Sequence, residues 1–255
     1  MLHSETHIRS DDSQWIVFVH GAGGNISTWK YQIPYFREHY NLLFFDLRGH
    51  GKSISRDLEK PYTFDSIAED IKELIDHYHI EEAYFLGLSI GSLIIHNFEK
   101  RYPGCVKKIV ATGGIYQITW QIHYFSLSAH ALARIFPYNF LYVLFAFIVM
   151  PKRNHKISRK IFIRASKNLV KREYIRWLNL YGTFRETVEN IDFSTQKIPT
   201  LIVMGEEDHL FLKPAADFAG LYQEVQLDII PGSGHICNIE KPELYNQIVH
   251  KFLNN

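Results

Sequence analysis

Six runs of β-branched, aromatic and aliphatic residues, at 15–19, 41–46, 83–88, 106–112, 199–205 and 225–230, are each bounded by Gly, Asp or Pro and read as short strands. Between them the apolar positions take up a helical rhythm. Segment 64–79 puts Phe64, Ile67, Ile71, Leu74, Ile75 and Tyr78 on one face, and 90–101, 214–222 and 242–253 carry shorter versions of the same pattern. Alternating strands and helices predict the α/β class, a mostly parallel sheet with helices on both faces.

The alternation stops between 115 and 193. The first half of this stretch is markedly apolar, with Phe140 to Met150 at its centre; the second interleaves Ile161, Phe162, Leu169, Tyr174, Trp177 and Leu178 with basic residues, as an amphipathic helix does. Pro137 and Pro151 punctuate it, so two to four helices are predicted. The expected organisation is a core made of 1–114 and 194–255 with a helical cap inserted over 115–193. Such a cap would roof a site, with Phe145 and Phe147 among the walls of an apolar pocket.

With 255 residues, 46% of them hydrophobic, the chain can bury the core of one domain plus an insertion. Met1 to Ser13 has no apolar h-region, and Phe140 to Met150 is too short to span a bilayer, so a soluble, cytoplasmic protein is expected. Cys105 and Cys237 have no metal-like spacing and are expected to be reduced. The net charge is only +1, but 115–190 holds 12 Lys+Arg against 3 Asp+Glu while the remainder holds 16 against 24. A basic insert on an acidic body is either a solvated helical face or a surface with weak attraction to anionic membranes or an acidic partner. No nucleic-acid-binding motif is present, and nothing in the sequence sets an oligomeric state. There is no H-E-x-x-H and no Rossmann or P-loop glycine pattern, so neither a metal nor an organic cofactor is expected.

Chemistry concentrates at strand ends. Gly87-Leu88-Ser89-Ile90-Gly91 follows an apolar run and precedes a helix-like segment, the strand, tight turn, helix context in which G-x-S-x-G exposes a serine. Gly205-Glu206-Glu207-Asp208 follows the fifth run and Gly232-Ser233-Gly234-His235 the sixth, giving the chain order serine, acid, histidine. His20-Gly21-Ala22-Gly23-Gly24 closes the first run with a glycine-rich turn able to face an anion with backbone N–H groups. On residue type alone, Glu206, Glu207 and Asp208 all remain open as the acid.

Together with Asp46-Leu47-Arg48-Gly49-His50-Gly51-Lys52-Ser53, these motifs resemble the α/β-hydrolase family over roughly 14–114 and 195–255. The resemblance implies a cofactor-free hydrolase in which Ser89 is the nucleophile, His235 the base and Asp208, at the family's Gly-x-x-Asp spacing, the residue that orients the histidine. It implies an oxyanion site made by the backbone N–H groups of Ala22 and Ile90. His20 is expected to support that turn, and His50 to be structural. The antiparallel hairpin that usually opens the family has little room before Trp15, so its first strand or two are expected to be shortened or missing. The resemblance implies fold and chemistry but not the substrate; the expected substrate is a small-molecule carboxylic ester with an apolar acyl or alcohol part, cleaved by an acyl-enzyme route. Carbon–carbon bond hydrolases, lactonases, perhydrolases and amidases share the same residues, and a ligand-sensing protein with an intact triad is the alternative from another class. Haloalkane dehalogenation is disfavoured, since it uses an aspartate where Ser89 stands.

Overall fold

Successive side chains of a strand point to opposite faces. In the computed structural model of the protein, which describes residues 1–53, 62–117, 119–133, 135–167, 169–189 and 198–255, both faces of the sheet are apolar. The strands are β1 (Ser4–His7), β2 (Trp15–Val19), β3 (Asn41–Phe45), β4 (Ala83–Leu88), β5 (Val106–Thr112), β6 (Thr200–Gly205) and β7 (Val225–Ile230). They form one sheet in the order β1-β3-β2-β4-β5-β6-β7, parallel throughout except for the β1–β3 pair. Among the described residues the helices of six or more residues are α1 (Phe64–His77), α2 (Ile90–Arg101), α3 (Trp120–Leu132), α4 (Tyr138–Val149), α5 (Lys156–Ser166), α6 (Lys171–Gly182), α7 (Phe184–Glu189), α8 (Leu212–Ala219) and α9 (Pro242–Asn254). Val17, Val19, Leu43, Phe45 and Phe85 pack towards α1, α2 and α8, while Ile16, Phe18, Leu42, Phe44 and Leu86 pack towards Trp29, Phe36 and α9. From β2 the chain moves first to β3 on one side and then to β4 on the other. That reversal opens a crevice at the carboxyl ends of the central strands.

The predicted strands and helices stand within two or three residues of their expected bounds, with two informative differences. Of the opening hairpin, the single strand β1 is present, with Ser4 to His7 paired against Phe45 to Leu42. Its sequence, Ser-Glu-Thr-His, is polar because it is an edge strand held by backbone ladder bonds. Between β5 and β6 the described residues form five helices where two to four are predicted. Thr183 interrupts the last stretch, its hydroxyl donating to the carbonyl of Leu180 at 2.8 Å, which ends α6 and lets α7 begin. The expected end of the insertion at 193 falls outside the described residues.

Buried polar contacts fasten these helices to the body. Trp177 of α6 is enclosed and donates from Nε1 to the carbonyl of Arg48 at 3.0 Å. The Arg48 guanidinium is itself fully buried and bonds Asp70 of α1 at 2.6 Å. Around it, Asp46 accepts the N–H groups of Ile26 (2.9 Å) and Lys52 (2.8 Å), so the Asp46 to Ser53 turn is built as a structural knot. A buried charge whose partner is removed costs several kcal/mol, roughly 3–5, so this knot has few tolerated variants.

Candidate active site

Ser89 sits on the turn between β4 and α2 with φ 53° and ψ −117°, a left-handed conformation that costs a non-glycine residue strain. The turn is held by its surroundings. Ser89 donates its N–H to Thr112 of β5 at 2.8 Å, and the Ser92 hydroxyl donates to the Ser89 carbonyl at 2.6 Å. A Cβ at Gly91 would lie 2.4 Å from the carbonyl oxygen of Val19, and one at Gly87 would lie 2.6 Å from the backbone nitrogen of Ser92. The two outer glycines of the motif are therefore required by close approach. Ile90 opens α2, so its N–H has no acceptor within the helix. The glycine-rich turn after β2 lies alongside, since a Cβ at Gly21 would be 3.4 Å from that of Ser89.

Asp208 and His235 come together from the ends of β6 and β7. Nδ1 of His235 is 2.7 Å from Oδ2 of Asp208, and both residues are buried. The other carboxylate oxygen accepts the N–H groups of Phe211 at 3.1 Å and Leu210 at 3.3 Å. An acceptor-only carboxylate on Nδ1 fixes the proton there, which leaves Nε2 as the free acceptor of the ring. The Phe211 ring lies beside the imidazole, 4.9 Å between centroids, and Gly113 (φ 55°) approaches so closely that a Cβ would meet the ring at 3.0 Å.

The two other acids turn away. Glu206 accepts the N–H of Gly232 at 2.9 Å. Glu207 is gripped by the start of α5, with Asn154 Nδ2 and His155 Nε2 at 2.8 Å and Lys152 Nζ at 2.9 Å. Hydrogen bonds from Asn154 and Lys152 hold its carboxyl at about 2. Close by, Glu240 accepts the Gly234 N–H at 2.6 Å and the Ser158 hydroxyl. The segment leading into α5 thus touches both loops that carry Asp208 and His235. Sequence reasoning missed this bracing, because Lys152 and His155 are more than fifty residues from the acids they meet.

His20 and His50 brace the turn after β2. Leu47 donates its N–H to Nε2 of His20 at 3.0 Å while Nδ1 faces the Gly21 carbonyl at 2.8 Å; Gly23 donates to Nε2 of His50 at 2.9 Å. Each ring must be neutral to accept these bonds. Burial pushes both pKa values below the usual histidine range, that of His50 further. In the unfolded chain these rings protonate near pH 6.5 while the folded protein resists, so their contribution is complete above that pH and is lost as pH falls below it. Urea unfolding between pH 7 and pH 5 is expected to show stability declining with acidity. In His50→Gln the decline should be shallower by up to about one proton, or ~1.4 kcal/mol per pH unit; equal slopes in the two proteins would refute this.

Ser89, His235, Ala22 and Ile90 line one cavity of about 470 Å³, roofed by α3, α4, α5 and α6. Among its lining residues there is no Lys, Arg, Asp or Glu. Phe145 is part of the wall but Phe147 is not: it is 51% exposed, with the Arg159 guanidinium 4.7 Å from its ring centroid. Residues two apart on a helix face nearly opposite ways, so the two phenylalanines cannot share a pocket. The wall from α4 is instead Leu141, Tyr142, Leu144, Phe145, Ile148 and Val149, a spacing of three and four that was available in the sequence. Cys105 and Cys237 are free, and burial pushes the Cys237 thiol far up, which makes it an inert packing group. Among the described residues no group of three or more His, Cys, Asp or Glu is placed to hold a metal ion, and no helix is long and apolar enough to cross a membrane.

Residues 14–148, just over half of the chain, match the model of a family described as alpha/beta hydrolase fold. Human protein ABHD8 is 24% identical over 93% of this chain, which spans about half (54%) of that relative's length. 3-oxoadipate enol-lactonase 2 of Acinetobacter baylyi is also 24% identical over 93% of this chain and 88% of its own. Among solved structures, an esterase from Exiguobacterium antarcticum superposes with a TM-score of 0.81 at 17% identity, covering 100% of this chain and 96% of the other.

Proposed function

The chain belongs to the α/β-hydrolase family, and we propose that within it the protein is a serine hydrolase cleaving carboxylic esters with an apolar acyl or alcohol part. Ser89 attacks the carbonyl carbon as Nε2 of His235 takes the hydroxyl proton. Asp208 keeps the imidazole in the tautomer that accepts this proton and stabilises the imidazolium. Negative charge on the carbonyl oxygen is met by the backbone N–H groups of Ala22 and Ile90. Collapse expels the alcohol, which leaves with the proton from His235, and a water activated by the same ring then releases the acid from Ser89.

The observation that carries this reading is that a strained serine turn and a buried histidine–aspartate pair open onto a single cavity without charged walls. An ionised substrate would lose its hydration there with no cation in return. A neutral lactone is an internal ester and fits the same chemistry; the enol-lactonase relative supports lactone opening as a reaction of this kind. Steady-state hydrolysis of p-nitrophenyl esters from acetate to long chain, run beside neutral lactones, separates the two. Turnover of neither class by protein that is folded and reacts with a fluorophosphonate would overturn the enzymatic reading in favour of a ligand-sensing one.

The wall makes a finer expectation. Phe145→Ala should lower kcat/KM for medium-chain esters about tenfold while leaving acetate nearly unchanged, the loss of contact with about two methylenes at ~0.8 kcal/mol each. Phe147→Ala should leave the whole chain-length profile as it was. A uniform loss across chain lengths in Phe145→Ala would mean that the ring does not contact the acyl chain.

A further inference from the structure

The roof of the cavity has a second apolar face, turned outward. Trp120, Tyr124 and Leu127 on α3 are exposed, Trp120 by 70%, and stand at positions i, i+4 and i+7, one stripe of that helix. On α4, Phe140 and Phe147, at positions i and i+7 and outside the cavity wall, are exposed. The connection between the helices adds Ile135, 76% exposed, and Phe136, whose ring packs on Phe140 at 5.3 Å. Both helices thus carry large apolar side chains on the cavity side and on the solvent side; α3 also holds Gln121, His123, Ser126, Ser128 and His130, whereas α4 has only Asn139 besides aliphatic and aromatic residues. A helix apolar all round is stable only when something covers its outer face.

Charge next to this face says what covers it. α5 packs beside α4, and its outward stripe is Lys156, Lys160, Arg164 and Lys167, all exposed and within about a quarter of the helix circumference. None of these four, nor Arg153 or Lys171, has a carboxylate partner among the described residues. Arg159, stacked on Phe147, joins the basic stripe to the apolar one. Large aromatic and aliphatic side chains bordered by unpaired cations match an anionic lipid surface, into which rings insert while ammonium groups meet headgroups.

We propose that the outer face of α3 and α4, flanked by the basic stripe of α5, docks the protein on anionic bilayers, with the cavity directly beneath the docked helices. The proposal is independent of the reaction assigned to Ser89. It is tested by co-sedimentation with vesicles of phosphatidylcholine, alone or mixed with phosphatidylglycerol, over a range of salt. The protein should bind the mixed vesicles and bind phosphatidylcholine weakly. Binding should fall about fivefold for each charge removed in Lys156→Gln, Lys160→Gln and Lys167→Gln, with a flatter salt dependence. Phe140→Ser and Phe147→Ser should each weaken it about tenfold even at low salt. Thermal melting that matches the parent shows that the variants are folded, since these side chains are outside the cavity wall. Failure to bind mixed vesicles, or loss in the lysine variants with none in the phenylalanine variants, would overturn the proposal. So would a concentration-dependent dimer in sedimentation velocity that Phe140→Ser abolishes, because the face would then be covered by a second copy.

Discussion

Replacing Ser89 by Ala is expected to abolish fluorophosphonate labelling and to lower ester hydrolysis by about six orders of magnitude, to the residual rate that an oxyanion site and binding alone supply. The effect is this large because the hydroxyl is both the bond-forming atom and the proton donor to His235. Cys237 is buried, its thiol is held protonated, and it is not among the residues of the cavity wall. Folding should survive, because the methyl group keeps the turn and Ser89 uses its backbone, not its hydroxyl, to bond Thr112. Peptide mass spectrometry decides the matter: a label retained in the folded Ser89→Ala protein at another residue would move the nucleophile.

Asp208→Asn should follow in size, with kcat down by about 10⁴ and little change in thermal stability. An amide of the same shape can still accept the N–H groups of Leu210 and Phe211, so the loop stays in place. What changes is the histidine. An amide nitrogen facing Nδ1 favours the tautomer whose Nε2 carries the proton, and that ring cannot take another from Ser89. Glu207→Gln is the matched control, since Glu207 faces Lys152, Asn154 and His155, away from His235. It should loosen the approach to α5 and leave kcat within about tenfold of the parent. If steady-state kinetics ranked the two variants the other way, Glu207 would be the orienting acid.

The ranking of the acids illustrates how much the linear chain discloses. Gly205, Glu206, Glu207 and Asp208 are consecutive, and residue type leaves three carboxylates equal; the motif spacing selects Asp208. In three dimensions the selection has a physical basis: the turn after β6 aims Glu206 at Gly232, Glu207 at α5 and Asp208 at His235. The glycines around Ser89 are equally legible, because an elbow this tight is a local constraint and the reason for each glycine lies within a few residues or on the adjacent strand end. Strand and helix positions follow from periods of two and 3.6, which are also local.

Contacts across long stretches of chain were decided only by the fold. β1 is a strand because Ser4 to His7 find backbone partners on β3, about forty residues on, and polar side chains at a sheet edge leave no apolar signature. Phe145 and Phe147 look alike in the apolar run Phe140 to Met150, and only the packing of α4 against α5 and the body turns one inward and leaves the other under Arg159. The absence of charge from the cavity wall likewise depends on how elements from Gly21 to Ile239 converge. Local backbone geometry is set by nearest neighbours and can be read along the chain. A side chain's partner is set by which distant surfaces the folded sheet brings within a few ångströms.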